Sequence, residues 1–407
     1  MTKVERVREK KIKVSLLTGG GDPTYALPLC SVLTSGGVHV DFIAGDAMVN
    51  VEAVKAENCQ YYNLRGDQDS RASIIRKVVR ILIYYCKLIK YSVMTDSKLF
   101  HILWPSRLWP SRFVYFDRTI VNVWYKMLGK QIVYTAHNIN EGERDNNDTL
   151  LNRLTLRFLY KFVDHIFVHT DKMKLQLIEC FRICDRKITV IPFGINNVLP
   201  ESGLTEIEAK SLLKVADHHK TLLFFGIISP YKGLDILVAA LSLLRGKGND
   251  WRLIIAGSVK KGHHEYWTDI ENIIAQHDLN GTIIRAIEFI PDENVERYFK
   301  AADVAILPYR HIFQSGVLLL AYNFGLPVIA ADVGALRESI VEGETGFACQ
   351  PENPEDLART ISAYFGSDLY KNLKVNRKKI IDYANERYSW HTVGEITRTV
   401  YSSLLKA

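Results

Sequence analysis

Apolar runs and helical patterns alternate along the first half of the chain. An apolar run at Lys13–Leu17 leads into the glycine turn TGGGDP, a helical pattern that ends at Gly36-Gly37, and a second run, HVDFIAGD. Further runs of this kind are KQIVYTAHN, VDHIFVHTD and KITVIPFG. Runs that are apolar on both faces and separated by helices are typical of a parallel sheet covered by helices on both sides. The pattern therefore predicts an α/β domain.

The alternation restarts after an irregular stretch, IPFGINNVLPESGLT. A strand TLLFFGIIS, a helix LDILVAALSLL and a strand WRLIIAGS come first, and TIIRAIEFI, ADVAILPY and LPVIAAD follow. We therefore predict two Rossmann-like parallel-sheet domains facing a cleft, at residues 1–198 and 199–385, with a helix at 386–407 that closes back on the N-terminal domain. Ligands of open parallel sheets bind at the C-terminal ends of the strands, so the cleft is the expected site.

Composition agrees with two domains, because 407 residues with 47% hydrophobic content exceed what one compact core needs. The six cysteines have no paired short spacing, and we expect reduced thiols in a cytoplasmic protein. We find no signal peptide and no apolar run long enough to cross a bilayer. The net charge of +7 suits a polyanionic partner or an anionic membrane surface. Motifs of the common nucleic-acid-binding modules are absent, so no nucleic-acid partner is predicted.

One segment has the features of a phosphate-binding helix start. Ser315 can cap a helix, Gly316 and Val317 follow, and an unbroken helical run extends to Phe324. Free N–H groups and the positive end of the helix dipole suit a diphosphate. Lys232, in PYKG between a strand and a helix, would offset the charge of such a group. The alternative is an ordinary buried helix behind a sheet.

The second half resembles the nucleotide-binding domain of the family 4 glycosyltransferases, which have the two-domain GT-B architecture. The resemblance rests on FFGIISPYKGLDILVAAL, WRLIIAGS, ADVAILPYR and SGVLLLAYNFGLPVIAADVGALRESIVEGETGFA, and more loosely on TGGGDP and YTAHN in the first half. It implies transfer of a sugar from a nucleoside-diphosphate sugar to an acceptor, usually with retention of configuration and without a metal or another cofactor. The expected partners are a nucleotide sugar and a glycan or a polyprenyl-diphosphate-linked acceptor, as in bacterial polysaccharide biosynthesis.

The resemblance also implies roles for donor-site residues. An arginine that the family carries shortly before the lysine is missing here, and Arg310 is the nearest substitute, with a solvated surface charge as the alternative. Two glutamates of the family's helix fall at Ile312 and Leu320, so neither carboxylate is present. The predicted donor residues are Lys232, Arg310, Ser315, Gly316 and Val317 for the diphosphate, and Gly226 and Glu338 for the nucleotide.

In the first half the resemblance places His137, in YTAHN, beside the donor sugar and the acceptor as the catalytic residue. A packed histidine at a strand end is the alternative. The glycine turn and the acidic loop after His137 are expected to face the acceptor. The predicted acceptor residues are Gly20, Gly21, Asp22, Glu141 and Glu143. If the enzyme inverts configuration, Asp22, Glu141, Glu143 or Asp145 would be the general base.

The segment at 71–92 predicts an amphipathic basic helix. At 100° per residue, basic residues fall on one side, whereas Ile75, Val78, Leu82 and other apolar residues fall on the other. Such a helix either touches an anionic membrane surface or turns its apolar face to the core, and the sequence leaves both open. In the first case the protein would be peripheral on the inner face of the plasma membrane.

These observations favour a glycosyltransferase, and they leave two alternatives. One is a nucleotide-sugar epimerase or hydrolase of the same fold. The other is a non-catalytic scaffold subunit, which the missing glutamates and arginine would suit.

Overall fold

The structure is a computed structural model that describes residues 12–48, 52–67, 69, 72–106, 113–140, 148–194, 202–245, 250–312 and 315–406. The chain divides into two compact units, here called unit 1 (Met1–Gly194 with Ser389–Ala407) and unit 2 (Ile195–Tyr388). The predicted boundary at 198/199 lies close to this division. The predicted last segment, 386–407, begins within a helix of unit 2, and the last helix itself starts at Trp390.

Unit 1 contains a parallel sheet that, in the described residues, has the strand order β3-β2-β1-β4-β5-β6-β7. Its strands are β1 (Lys13–Leu17), β2 (His39–Ala44), β3 (Cys59–Asn63), β4 (Leu99–Ile102), β5 (Gln131–Thr135), β6 (His165–Val168) and β7 (Ile188–Val190). Every residue of β4 and β6 is buried, as expected for strands covered on both faces. The α/β class predicted from the apolar runs is confirmed.

The helices of unit 1 begin at polar caps that the sequence supplies. Thr149 and Thr170 each accept a hydrogen bond from the backbone N–H three residues later. The helices are α1 (Pro23–Ser35), α2 (Ile74–Met94), α3 (Phe113–Phe116), α4 (Asn122–Met127), α5 (Leu150–Phe162) and α6 (Asp171–Phe181), and a π-helical turn at Asp117–Val121 joins α3 to α4.

Unit 2 contains a second parallel sheet with the order β10-β9-β8-β11-β12-β13 in the described residues. Its strands are β8 (Lys220–Phe225), β9 (Trp251–Ala256), β10 (Ile283–Ala286), β11 (Val304–Leu307), β12 (Val328–Ala331) and β13 (Gly346–Cys349). Its helices are α7 (Glu206–Leu212), α8 (Leu234–Arg245), α9 (His264–Gln276), α10 (Asp292–Ala301), α11 (Gly316–Asn323), α12 (Pro354–Gly366), α13 (Asp368–Lys371) and α14 (Leu373–Tyr388).

The last helix, α15 (Trp390–Lys406), packs on α1 within unit 1. Gly394 permits this contact, because a Cβ added there would lie 2.7 Å from Val32 Cγ2. Tyr401 Oη lies 2.5 Å from Nδ1 of the buried His101 on β4, so α15 also reaches the sheet. The helix is thus part of the core of unit 1.

In both sheets the strand order reverses at one point, between β1 and β4 and between β8 and β11. Loops that leave the C-terminal ends of strands at such a point diverge and form a crevice where ligands bind. In unit 1 these loops carry Gly19 and Trp104, and in unit 2 they carry Gly226 and Tyr309. The predicted sites therefore lie where this topology favours binding.

Candidate functional site

The start of α11 in unit 2 presents unused backbone donors. Among the described residues, the N–H groups of Gly316 and Val317 have no backbone acceptor, whereas that of Leu318 donates to Ser315 O over 3.2 Å. Ser315 is the cap residue, but its hydroxyl makes no capping hydrogen bond, contrary to the capping expected from the sequence. No described atom lies within 4 Å of a Cβ added at Gly316, so the space beside this residue is open.

Lys232 lies beside this helix start as a buried cation. Its side chain is on the short turn Pro230–Lys232 after β8, and the residue is 7% exposed. Its Nζ donates to Tyr309 Oη over 2.9 Å and lies 4.6 Å from the centre of that ring. In the part of the chain that the structure describes, no carboxylate lies within 4 Å of this ammonium. Burying a charge without a counter-ion is costly, which indicates an anionic ligand.

Gly226 connects the lysine and the helix start. Its φ is 101°, and a Cβ added there would lie 3.6 Å from Lys232 Nζ and 3.7 Å from Val317 Cγ2. The predicted residues Gly226, Lys232, Gly316 and Val317 are therefore brought together.

Tyr309 is a site residue that the sequence reasoning missed. It follows β11, it is fully buried, and its hydroxyl accepts from Lys232 and lies 3.4 Å from Ser315 Oγ. It thereby links the lysine to the first residue of the helix start. The only signal in the sequence was an aromatic residue in PYR at the end of a buried strand.

Arg310 does not join this cluster. Its Nη2 lies 2.6 Å from Asp235 Oδ2, and its Nη1 donates to Asp235 Oδ1 and to Pro230 O over 2.9 and 2.7 Å. Burial alone raises the pKa of the Asp235 carboxyl, but hydrogen bonds from Arg310 and Tyr266 bring that pKa below its usual value. The Arg310 guanidinium is thus already paired with a carboxylate and holds the turn Pro230–Lys232, and its predicted diphosphate contact stays a prediction.

The other predicted nucleotide residue, Glu338, is exposed on a short turn in the loop after β12, at the same edge of the sheet. Ile312 and Leu320, which replace the two glutamates of the resembled family, are both half-buried. Neither side chain has a carboxylate, so these two positions supply no acidic group to the helix start.

In unit 1, His137 forms a pair with His169. His169 Nε2 lies 3.0 Å from His137 Nδ1, and His169 Nδ1 lies 3.2 Å from Ile191 O. A carbonyl oxygen only accepts, so Nδ1 of His169 carries the proton and its Nε2 accepts from Nδ1–H of His137. Burial lowers the pKa of His169 to about 4, which keeps that ring neutral at pH 7. In neutral His137 the lone pair is therefore on Nε2.

Aromatic rings fix the orientation of His137. The indole of Trp104 is stacked on the imidazole, with ring centres 4.2 Å apart, and Tyr25 meets it edge-on at 4.7 Å. His169 and its role could not be found from the sequence, because HTD follows β6 whereas His137 follows β5. The two become neighbours only through the pairing of these strands.

The glycine turn of unit 1 has a packing function. Gly19 and Gly20 have φ of 58° and 74°, and a Cβ added at Gly21 would lie 2.1 Å from the Trp104 ring. Gly20 is the exposed member. Asp22 caps α1, since its Oδ1 accepts from both the N–H and the hydroxyl of Thr24. These contacts explain the turn without an acceptor, so the predicted acceptor roles of Gly20, Gly21 and Asp22 stay predictions. Glu141, Glu143 and Asp145 lie outside the described residues.

Comparisons with known proteins agree with this arrangement. Residues 19–197 match the model described as Glycosyltransferase Family 4, and residues 219–366 match the one described as Glycosyl transferases group 1. The chain belongs to the family 4 glycosyltransferases. The first matched region corresponds to unit 1 and the second to unit 2. All of the predicted site residues lie within these two regions.

Individual relatives are distant. An uncharacterised glycosyltransferase of Methanocaldococcus jannaschii is 26% identical over 57% of this chain and 58% of its own length. A D-inositol 3-phosphate glycosyltransferase of Corynebacterium aurimucosum is 24% identical over 67% of this chain and 66% of its own. The match thus spans less than two thirds of either relative. The structure of Anabaena HepE in complex with UDP has a TM-score of 0.72 at 17% identity, covering 97% of this chain and 100% of that one, which confirms the GT-B fold.

Helix α2 exposes its apolar face to solvent. Its buried residues are Ile81, Tyr84, Leu88, Tyr91 and Ser92. The opposite side carries large apolar side chains in solvent, including Ile75 (78% exposed) and Leu82 (61% exposed). The alternative in which this apolar face packs on the core is therefore wrong. Among the described residues, no helix combines the length and the apolar character needed to cross a bilayer.

Proposed function

We propose that the protein transfers a sugar from a nucleoside-diphosphate sugar to a glycan or lipid-linked acceptor. The observation that supports this best is that Lys232, a buried cation, lies beside the N–H groups of Gly316 and Val317, and that among the described residues neither the cation has a counter-ion nor the N–H groups a backbone acceptor. A diphosphate would accept hydrogen bonds from both and neutralise the buried ammonium. HepE has a similar fold and its structure contains bound UDP, which supports a UDP-type donor.

In this proposal the chain itself stabilises the leaving group. Charge develops on the nucleoside diphosphate as the glycosidic bond breaks, and the ammonium of Lys232 and the dipole of α11 offset it. That arrangement supports metal-independent transfer, with retention of configuration as the resemblance implies. His137, whose ring is oriented by Trp104 and His169, would lie beside the transferred sugar or the acceptor hydroxyl.

Titration calorimetry with UDP and GDP tests the donor site. We expect Lys232→Met to weaken binding by about tenfold or more, because a charge-assisted hydrogen bond is lost. Lys374→Met, which removes an exposed lysine of α14, is the matched control and should bind as the wild type does. Equal affinities for the two variants would refute the role of Lys232.

The absence of carboxylates at Ile312 and Leu320 favours a second candidate, a non-catalytic scaffold that binds nucleotide without turning it over. Product analysis of UDP-sugars with and without a mixture of glycan acceptors separates these functions. Acceptor-dependent release of UDP supports the transferase. Turnover of donor alone indicates the epimerase or hydrolase, and binding without any turnover indicates the scaffold.

We also propose that α2 rests on an anionic membrane surface, where a lipid-linked acceptor would be found. The exposed apolar face has basic residues on one flank (Arg76, Arg80, Lys87 and Lys90), and residues 74–94 contain no carboxylate. Apolar side chains beside basic ones suit the boundary between acyl chains and anionic headgroups. Phe116 extends this surface, since its ring lies 5.1 Å from Tyr85 of α2 and it is 38% exposed.

Sedimentation with phosphatidylcholine vesicles, with and without phosphatidylglycerol, tests this contact. Leu82→Glu should lower partitioning into the anionic vesicles by about tenfold, because an exposed apolar side chain that would enter the membrane is replaced by a charge that anionic headgroups repel. Ile207→Glu, at a 67% exposed position of α7, is the control. If both variants bind vesicles equally well, or if the wild type binds neither composition, the membrane contact is refuted.

A further inference from the structure

Arg118 of unit 1 is another buried cation that has no carboxylate partner among the described residues. It lies in the π-helical turn Asp117–Val121 and is 6% exposed. Its Nη1 donates to Asn152 Oδ1 over 2.7 Å, and its buried Nε has no hydrogen-bond acceptor. Within the described ranges no carboxylate lies within 4 Å of the guanidinium. π-helical turns are rare and are often found at functional sites.

Apart from Lys232, other buried cations in the described residues have carboxylate partners or, like Lys130, donate to backbone carbonyl oxygens, whereas Arg118 Nε has no acceptor. Lys126 of α4 lies 2.6 Å from both carboxylate oxygens of Asp164, and the buried Lys210 lies 3.3 Å from Asp303. The carboxylate next to Arg118 in sequence, Asp117, faces elsewhere: its oxygens accept from Tyr85 Oη and Ser106 N. A buried guanidinium that only stabilised the fold would be expected to have such a partner.

A small, mainly apolar cavity beside Arg118 is lined by two residues whose buried polar atoms have no partner among the described residues. Asn122 Oδ1 and Tyr125 Oη are both buried and unbonded, and both residues line this cavity of about 30 Å³ together with Arg118. A second cavity, of about 20 Å³, is lined by Arg118, His137 and Asn138. Each has room for about one water-sized group, so a ligand would place a single oxygen atom in either cavity and keep its other atoms outside. Arg118 therefore lines two small cavities, and the second of them is also lined by the predicted catalytic histidine.

We propose that these residues form an acceptor subsite for an anionic sugar, one that carries a phosphate or carboxylate beside a hydroxyl group. Arg118 donates to the oxyanion, because a guanidinium fork matches phosphate and carboxylate oxygens. Asn122 Oδ1, which only accepts, receives the hydroxyl proton, and Tyr125 Oη donates to the ligand. The rest of the acceptor lies over the half-exposed His137 and Asn138. This proposal rests on the proposed transferase function.

Helix α2 forms one wall of the larger cavity. Tyr84 and Leu88, on the buried face of α2, line it, while the opposite face of the same helix carries the exposed apolar residues. Arg118 could bind the phosphate of a lipid-linked acceptor or that of a free sugar phosphate, because both present the same phosphate oxygens.

NMR with ¹⁵N-labelled arginine tests the subsite directly. Full-length protein saturated with UDP is titrated with inorganic phosphate and, separately, with acetate, so that the donor site is already occupied. We expect the Arg118 Nε–H resonance to shift in saturable fashion with at least one of the two anions. Arg118→Gln should weaken the anion affinity by about tenfold, in line with the loss of a charged hydrogen bond. The exposed Arg186→Gln is the control and should behave as the wild type does.

Tyr125→Phe gives a second test that does not depend on replacing a buried charge. Its hydroxyl has no partner in the unliganded protein, so the variant should unfold at the same or a higher temperature and yet bind the anion several-fold more weakly. Vesicles with and without phosphatidylglycerol distinguish a headgroup from free phosphate as the source of the shift.

The proposal is overturned if neither anion moves the Arg118 resonance, or if Arg118→Gln and Arg186→Gln bind the anions equally. A crystal structure with water alone on Arg118 Nε in the presence of phosphate would overturn it as well. UDP binding is measured on the same samples. Intact UDP binding with no anion response refutes only the subsite, whereas absence of UDP binding refutes the transferase proposal.

Discussion

At the scale of single residues, the account depends on which polar groups the fold leaves without partners. Lys232 and Arg118 are both nine-tenths buried and lack counter-ions among the described residues, whereas Arg310, which the sequence analysis assigned to the diphosphate, is paired with Asp235. A sequence indicates which residues have the right chemistry. It does not indicate which of them already have partners within the fold, and this is why the pairing of Arg310 with Asp235 could not be predicted from the sequence.

Tyr309 should act by holding Lys232. Tyr309→Phe removes the hydroxyl that accepts from Nζ over 2.9 Å, but it keeps the ring and the charge. We expect UDP affinity to fall by about threefold to tenfold, which is less than for Lys232→Met, since the variant loses one hydrogen bond that positions the ammonium but keeps its charge. Titration calorimetry measures this. An affinity equal to that of the wild type would show that the hydroxyl does not position the lysine.

His169 should act on catalysis through the tautomer of His137. His169→Phe removes the acceptor of His137 Nδ1–H, so we expect kcat to fall by about tenfold or more with little change in the KM for the donor. His169→Gln keeps an acceptor oxygen and should retain more activity. The measurement is the pH profile of kcat for the three proteins, which a purely structural role would not move. Identical profiles in the wild type and His169→Phe would contradict the assignment.

At the scale of elements, most of what the hydrophobic pattern predicted is present. The strand Lys13–Leu17 has the predicted bounds, and the strand runs of both halves are parallel strands in the structure. Helix α2 was predicted as amphipathic, but a single sequence does not indicate which face is covered. The buried side is formed by Ile81, Tyr84, Leu88 and Tyr91, because these contact residues from distant parts of the chain, such as Ser15 and Ser106.

The packing of α15 on α1 gives a prediction at this scale. A methyl group at position 394 would lie 2.7 Å from Val32 Cγ2, so Gly394→Ala should lower the free energy of unfolding by about 1 to 3 kcal/mol despite the better helix propensity of alanine. Val32→Ala removes the clashing methyl groups. In urea unfolding the double variant should therefore be less destabilised than the two single variants predict additively. Additive losses would contradict direct contact at this position.

At the scale of the whole molecule, the two α/β units and their parallel sheets follow from the repeated alternation of apolar runs and helical patterns. The positions of the sites follow from the strand order, which places Gly226 and Tyr309 at one reversal point and Gly19 and Trp104 at the other. Pairing of distant strands is not readable from one sequence. For this reason the partners of His137 and Lys232 came only from the structure.

A fall in pH should lower the free energy of unfolding of unit 1, because its buried histidines bind protons only when it unfolds. Burial lowers the pKa of His101 to about 3 and that of His169 to about 4, against an ordinary value of 6.5. Between these values and pH 6.5 the unfolded state binds more protons, so stability is lost as the pH falls. We expect each histidine to lower the free energy of unfolding by about 2 kcal/mol at pH 5.

Hydrogen exchange of the full chain in urea at pH 7 and pH 5, read by mass spectrometry, follows both units at once. Strands β4 and β6 of unit 1 should lose protection at pH 5, and His169→Gln should reduce that loss. Equal protection of β4 at both pH values, after correction for intrinsic exchange rates, would contradict this prediction.

The central claim is that the start of α11 and Lys232 bind a diphosphate, and a crystal structure with bound UDP tests it most directly. We expect phosphate oxygens within hydrogen-bond distance of Lys232 Nζ and of the N–H groups of Gly316 and Val317, with Arg310 still on Asp235. A nucleotide bound elsewhere in the protein, with the Lys232 ammonium still bonded only to Tyr309, would contradict the account.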